Sequence, residues 1–191
     1  ERMKALIESN EPRPAGDFDL HDPSVVFDTF INAAMDALLR IREDIDRESL
    51  KGFVEELSKA QVVHVAAARG AFGVGAYCYY SLSRIGKRSH LIDNLGAMRE
   101  LQLGAIGEND LLLAITFDDY TPETIEVTQA AHKKGRNILV ITDNELSPVA
   151  KLGKHVLYVK DARLGHFRSQ VPAMVLCQSI IVSLGRQKIR S

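Results

Sequence analysis

D-L-L-L-A-I-T-F-D-D-Y-T-P-E-T, residues 110–124, passes from an unbroken apolar run into the start of a helix. A strand covered by helices on both faces has no polar face to alternate with, so it reads as continuous hydrophobic sequence. At the far end Thr121 suits an N-cap, Pro122 the first helical position, and Glu123 the positive end of the helix. Strand, tight loop and helix in that order form the repeating unit of a parallel sheet.

The unit recurs in both directions. Q-V-V-H-V-A-A-A (61–68), S-H-L-I-D (89–93), N-I-L-V-I-T-D (137–143) and H-V-L-Y-V (155–159) supply four more strand candidates. Helical spacing occupies 73–85, a short piece near 96–103, 121–134, a brief segment opened by Ser147-Pro148, and about 172–184. The alternation predicts an α/β fold with a doubly wound, five-stranded parallel sheet. Ahead of it, Asp22 and Pro23 open a long amphipathic helix carrying Val26, Phe30, Ala33, Ala37, Leu38, Ile41 and Ile45 at spacings of three and four. Ser49 is expected to cap a second helix with Leu50, Phe53, Val54 and Leu57 on its apolar face. Residues 1–21 contain E-S-N-E-P-R-P-A-G-D and read as a linker from something upstream, in keeping with a chain that opens on Glu1.

Bulk properties narrow the function. A net charge of -1 over 191 residues gives the chain no electrostatic footprint for nucleic acid. Two cysteines, Cys78 and Cys177, fall far apart in helical stretches and read as buried thiols in a reducing cytoplasm. Zinc spacings are lacking, no cofactor motif is met, and no run of 18 apolar residues could cross a membrane. The expectation is a cytoplasmic protein with no metal, cofactor or membrane partner.

In a doubly wound sheet, ligands bind beyond the carboxyl ends of the strands, near the switch in strand order. After the first strand comes A-A-A-R-G-A-F-G-V-G, in which Gly70, Gly73 and Gly75 let backbone approach a ligand or the sheet. Neither G-x-G-x-x-G nor a P-loop lysine is present, so the loop makes no nucleotide site. Arg69 stands where a guanidinium would grip a carboxylate or phosphate, the alternative being a solvated side chain. After the third strand, Asp118, Asp119 and Tyr120 precede the helix. A helix N-terminus favours an anion by about 1 kcal/mol, up to ~2 in sheltered geometry. At ~5 Å and an effective dielectric of ~20, each carboxylate repels a unit negative charge by on the order of 3 kcal/mol, so repulsion wins unless a cation intervenes. After the fifth strand, Lys160, His166 and Arg168 make K-D-A-R-L-G-H-F-R-S-Q the most basic loop near the pocket, or else a solvated connector. His64, His90 and His155 lie in or beside strands and read as structural, and no Ser-His-Asp or Cys-His set is met.

The series H-V-A-A-A-R-G-A-F-G, S-R-I-G-K-R, D-L-L-L-A-I-T-F-D-D-Y-T-P-E-T and I-L-V-I-T-D-N-E-L-S-P-V-A-K-L resembles the sugar isomerase (SIS) domain. More narrowly, it is similar to the effector domain of RpiR-type bacterial transcription regulators, over about residues 22–186. The resemblance implies a flavodoxin-like three-layer α/β/α sandwich with N-terminal helices. It also implies a small-molecule metabolite effector and a homodimer or homotetramer. DNA contact is expected only through an N-terminal helix-turn-helix domain absent from this chain. On that basis residues 1–21 are the linker and 22–191 the effector-binding domain.

The departures from the family pattern define the site. Where members read G-x-G-x-S in the first loop, this chain has Ala67-Ala68-Arg69-Gly70-Ala71, without the serine hydroxyl. Where they read S-x-S-G-x-T, it has Thr116-Phe117-Asp118-Asp119-Tyr120-Thr121. By carry-over Ala71, Thr116, Asp118 and Thr121 hold the phosphate positions, and Ala71 and Asp118 cannot donate a hydrogen bond there. An aspartate capping the helix in place of phosphate is one expectation. The ligand is then unphosphorylated, or an acid with its carboxylate on Arg69, or the pocket is degenerate. The leading function is non-enzymatic metabolite sensing, with sugar-phosphate isomerisation or a ligand-free oligomerisation module as the alternatives.

Overall fold

The computed structural model describes residues 21–160, 162–164 and 167–190. Two helices lead, α1 (Pro23–Asp44) and α2 (Arg47–Lys59). Then follow β1 (Val63–Ala66), α3 (Phe72–Arg84), β2 (Ser89–Ile92), α4 (Arg99–Gly104), β3 (Leu111–Ile115), α5 (Pro122–Lys133), β4 (Asn137–Thr142) and β5 (His155–Tyr158). An antiparallel pair, β6 (Ala162–Leu164) and β7 (Phe167–Ser169), precedes the last helix, α6 (Val171–Arg190).

The five main strands are all parallel in the order β2-β1-β3-β4-β5. Chain order reverses between β1 and β3, which puts the switch point at the loops after those two strands. Each strand is shorter than its apolar run, since pairing stops where the loops begin to turn away. Alternate residues of the same strand serve opposite layers. Leu111, Leu113 and Ile115 join α2, α3 and α6 in one core, with Phe53, Leu57, Leu82 and Leu184. Leu112 and Ala114 face the other way, against Val127 and Ala131 of α5. All five β3 residues are buried, which is why the run carries no alternation.

Local chemistry explains most boundaries. The Asp22 carboxylate accepts the Ser24 N–H at 2.8 Å and Pro23 follows it, as expected. The second helix starts earlier than Ser49. Asp46 is its cap, accepting the Glu48 N–H at 3.0 Å and the Ser49 hydroxyl at 2.6 Å. The Asp46 carboxylate serves both donors at once, and Ser49 is itself one of them. The Lys87 ammonium is buried and donates to the Ser58 and Ala60 carbonyls at 2.9 and 2.5 Å, satisfying the end of α2. Gly75 is needed for close approach, because a Cβ there would overlap the Ala67 Cβ on the sheet. Cys78 and Cys177 are both buried and free, as read. A hydrogen bond from the Cys177 thiol to Cys78, together with burial, pushes the Cys177 thiol upward. The segment read as a basic loop is instead the β6–β7 hairpin, which α1 packs against. His166 and residues 1–20 lie outside the described residues.

Candidate functional site

Beyond β1 the chain turns into a short 3-10 segment, Arg69–Ala71, and Arg69 takes a left-handed φ of 49°. That conformation is costly for a residue with a Cβ and marks a constrained position. It aims the guanidinium at the first turn of α5. Arg69 donates to Glu123 Oε1 through both Nε (3.2 Å) and an Nη (2.8 Å). Hydrogen bonding from Arg69 holds the Glu123 carboxyl below its ordinary value. The pair is largely solvated, so its net contribution to stability is small. Gly70 lies alongside, and Ala71 is buried beneath.

An open cleft of about 230 Å³ lies here, lined by Ala66–Arg69, Phe72, Ile92, Asp93, Asn94, Arg99, Glu123, Thr124 and Val127. Its far wall is the β2–α4 loop. The Asp93 carboxylate accepts the Leu95 N–H at 2.9 Å and the Gln102 amide at 2.8 Å. Arg99 pairs with Glu126 at 2.8 Å. The cleft therefore presents two guanidiniums and several oxygen acceptors around a small apolar floor.

The aspartate loop after β3 is organised from elsewhere. Asp143, at the end of β4 and buried, accepts the Asp118 N–H at 3.1 Å, the Tyr120 hydroxyl at 2.9 Å and the Thr142 hydroxyl at 3.2 Å. Asn144 donates to the Tyr120 oxygen at 3.0 Å. Burial, with the Asp143 hydrogen bond next, pushes the Tyr120 phenol up to about 12. The Asp118 carboxylate turns back to accept the Asp119 N–H at 2.9 Å, and Asp119 sits at a left-handed φ of 66°. Thr121 occupies the cap position of α5, yet its hydroxyl bonds Thr124 Oγ1 at 2.9 Å instead of a helix N–H. Thr116 Oγ1 is buried at the end of β3 with no hydrogen-bond partner among the described residues.

The two halves are strapped together by β7 and the residue that follows it. The Arg168 guanidinium stacks 5.0 Å from the Phe117 ring and reaches the Asp118 carbonyl at 3.5 Å. Gln170 donates to the Gly70 carbonyl. Arg69, Gly70, Thr116, Asp118, Asp119, Tyr120, Thr121 and Arg168 thus gather at one end of the sheet. Arg69 engages Glu123, not the aspartates. Sequence reading passed over Asp93, Asn94, Arg99, Glu123, Asp143 and Gln170. Asp143 was detectable, as a carboxylate directly after a strand's carboxyl end.

The SIS domain family model matches residues 56–183. The chain belongs to the SIS domain family. Among solved structures, this SIS domain resembles the sugar isomerase domain of an RpiR transcription factor from Sphaerobacter thermophilus. Identity there is 20%, with 86% of this chain and 92% of that chain covered at a TM-score of 0.80. Vibrio vulnificus NanR, solved with ManNAc-6P, is 25% identical at a TM-score of 0.76, over 88% of this chain and 65% of NanR. A Methanococcus jannaschii protein, for which 3-hexulose-6-phosphate isomerase function was inferred, is 14% identical over 85% and 90% at a TM-score of 0.66. The SIS fold therefore serves both regulators and isomerases. Among the described residues of this SIS domain, no helix is long and apolar enough to cross a membrane, and no group of three or more His, Cys, Asp or Glu could hold a metal ion.

Proposed function

We propose that this SIS domain is the metabolite-sensing and oligomerising part of an RpiR-type transcription regulator. Its ligand is an unphosphorylated sugar or sugar acid held at the carboxyl ends of the strands. The observation that carries the ligand class is the occupancy of the loop amides after β3. A phosphate at a helix N-terminus is held by free backbone N–H groups. Here the Asp118 N–H is taken by the Asp143 carboxylate and the Asp119 N–H by that of Asp118. An incoming phosphate would find those donors engaged and would face Asp118, Asp119 and Asp143 together. Arg69 and Arg99, in the cleft beside β1, suit a single carboxylate, and Asp93, Asn94 and Glu123 suit hydroxyl groups.

A ligand carboxylate would compete with Glu123 for Arg69, loosening the first turn of α5 from the β1 loop. Arg168 and Gln170 tie both loops to the β6–β7 hairpin, and the hairpin supports α1. That chain of contacts would carry the change to the N-terminal helix and to a DNA-binding domain upstream of it.

A dye-monitored thermal-shift panel of phosphosugars, free sugars and polyols, sugar acids and amino compounds tests the reading. A ligand at 100 times its dissociation constant adds about 2.7 kcal/mol, some 5–10 °C for a chain of this size. Sugar acids or free sugars are expected to stabilise, with the acid response lost in Arg69→Ala. Stabilisation by phosphosugars alone would overturn the ligand class. Turnover of a ketose or aldose phosphate by the purified chain would overturn the non-enzymatic assignment in favour of an isomerase.

A further inference from the structure

The chain's only two cysteines, Cys78 and Cys177, lie far apart in sequence and meet in the core. They stand on α3 and α6, 2% and 1% exposed, within one hydrophobic cluster. Three contacts show how those helices lie. A Cβ at Gly73 would stand 3.7 Å from the Gln170 side chain, and one at Gly185 would stand 3.4 Å from Ile85. Between them the Cys177 thiol donates to Cys78. The three pairs advance together along both elements, so α3 and α6 run side by side in the same direction with the thiols at mid-contact. A glycine takes part at each end, and buried Ala173 lies one turn before Cys177. Small side chains at such a contact let two helix axes come close. A disulfide needs Cβ atoms about 3.5–4.5 Å apart and sulfurs ~2 Å apart, so thiols already in hydrogen-bond contact have only a short distance to close.

We propose that Cys78 and Cys177 are a dithiol that closes to a disulfide when the chain meets an oxidant of the glutathione-disulfide class, linking α3 to α6. Whichever thiol is uncovered first attacks a sulfur of the oxidant as its thiolate, forming a mixed disulfide and releasing one reduced glutathione. The second thiolate then attacks the protein sulfur of that mixed disulfide and releases the other. The protein gives up two electrons and two protons, and one oxidised glutathione becomes two reduced molecules. Burial covers both sulfurs, so the reaction waits on a local opening of the α3–α6 contact. Once made, the bond ties the helix that follows Arg69–Ala71 to the helix that follows Gln170, whose amide holds the Gly70 carbonyl. The strap across the candidate site is then fixed from beneath. The linkage is independent of which ligand the cleft takes.

The test is oxidation of the folded, ligand-free chain by oxidised glutathione, well below its melting temperature, read by intact mass, thiol titration in denaturant and peptide mapping. Both thiols are expected to disappear together, with the mass lower by two hydrogens and no glutathione retained. Mapping should find one cross-linked pair of peptides, carrying Cys78 and Cys177. Closing a loop of ~100 residues restrains the unfolded chain, so Tm should rise by about 5–15 °C and fall back on adding dithiothreitol. Cys78→Ser and Cys177→Ser should each lose the rise, with far-UV circular dichroism compared with wild type. The mapping needs only the wild-type chain, so a variant that folds poorly leaves the test intact. Thiols that persist under the oxidant would overturn the proposal. So would retained glutathione, a link between two chains, or a linked form that melts no higher than the reduced one.

Discussion

Replacing Asp143 with asparagine probes the arrangement on which the ligand class depends. The carboxylate accepts three donors, the Asp118 N–H at 3.1 Å, the Tyr120 hydroxyl at 2.9 Å and the Thr142 hydroxyl at 3.2 Å. An amide has one acceptor oxygen. Turned toward the hydroxyls, it points NH₂ at the Asp118 N–H. Turned toward that N–H, it presents NH₂ to Tyr120, whose oxygen already accepts from Asn144, and the phenol proton loses its partner. Either way one charge-assisted bond disappears, at about 1.5–3 kcal/mol. For 191 residues that is a fall of about 3–12 °C in Tm. The phenol supplies a second readout. The folded Tyr120 pKa is raised to about 12, so between roughly pH 10 and 12 the unfolded chain has lost a proton the folded chain keeps. Its stabilising contribution is whole below pH 10 and is lost as pH rises toward 12. Asp143→Asn removes the charge, and in one orientation the hydrogen bond as well, but not the burial, so Tyr120 should titrate lower and the alkaline loss of stability should shrink. Melting by calorimetry at pH 7 and above pH 10, with tyrosinate absorbance against Tyr120→Phe, measures both. An unchanged Tm with an unchanged tyrosinate titration would refute the claim that Asp143 holds this loop.

Two further outcomes follow from packing and charge. Gly75→Ala gains about 1 kcal/mol of helix propensity but drives a methyl into Ala67, at about 1–3 kcal/mol, so a net loss is expected. Adding Ala67→Gly should recover more than the sum of the single changes, as a double-mutant cycle in urea would read. Glu56, buried with Lys154 at 2.9 Å, Lys59 at 3.1 Å and Asn137 at 3.1 Å, has its carboxyl lowered chiefly by the Lys154 hydrogen bond. A lowered folded value stabilises above the unfolded pKa and is lost as pH falls through the folded one. Since both lysines are mostly solvated, Glu56→Gln should cost only about 1 kcal/mol at pH 7, a difference that vanishes toward pH 3 in pH-dependent melts.

The order of elements was legible in the sequence because it rests on local interactions. The unalternating run before Asp118 required a strand covered on both faces, and Thr121-Pro122-Glu123 required a helix after it. Asp22-Pro23 likewise placed the start of α1. Side-chain types also sufficed to read Ala71 and Asp118 as departures from the family pattern, the reading on which the proposed ligand class rests. Partners distant in sequence were not legible. Asp143 reaches Asp118 across 25 residues only because β3 and β4 are neighbours in register. Arg69 meets Glu123 across 54 residues because the loop after β1 and the start of α5 share the switch point. The β6–β7 hairpin is too short to declare itself by alternation, and only its docking under α1 makes it an element. On α1 itself, the periodicity of Val26, Phe30 and Ala37 identified one apolar face correctly. Whether Phe27, Ile31, Met35 and Leu39, all exposed in the fold, were a second face or part of the same one depended on how far the helix could sink into the domain, which neighbouring elements decide. Sequence thus determined what each segment could form. Tertiary structure decided which charges met and which apolar surface was left over, because both depend on contacts between residues that are close only once the sheet is built.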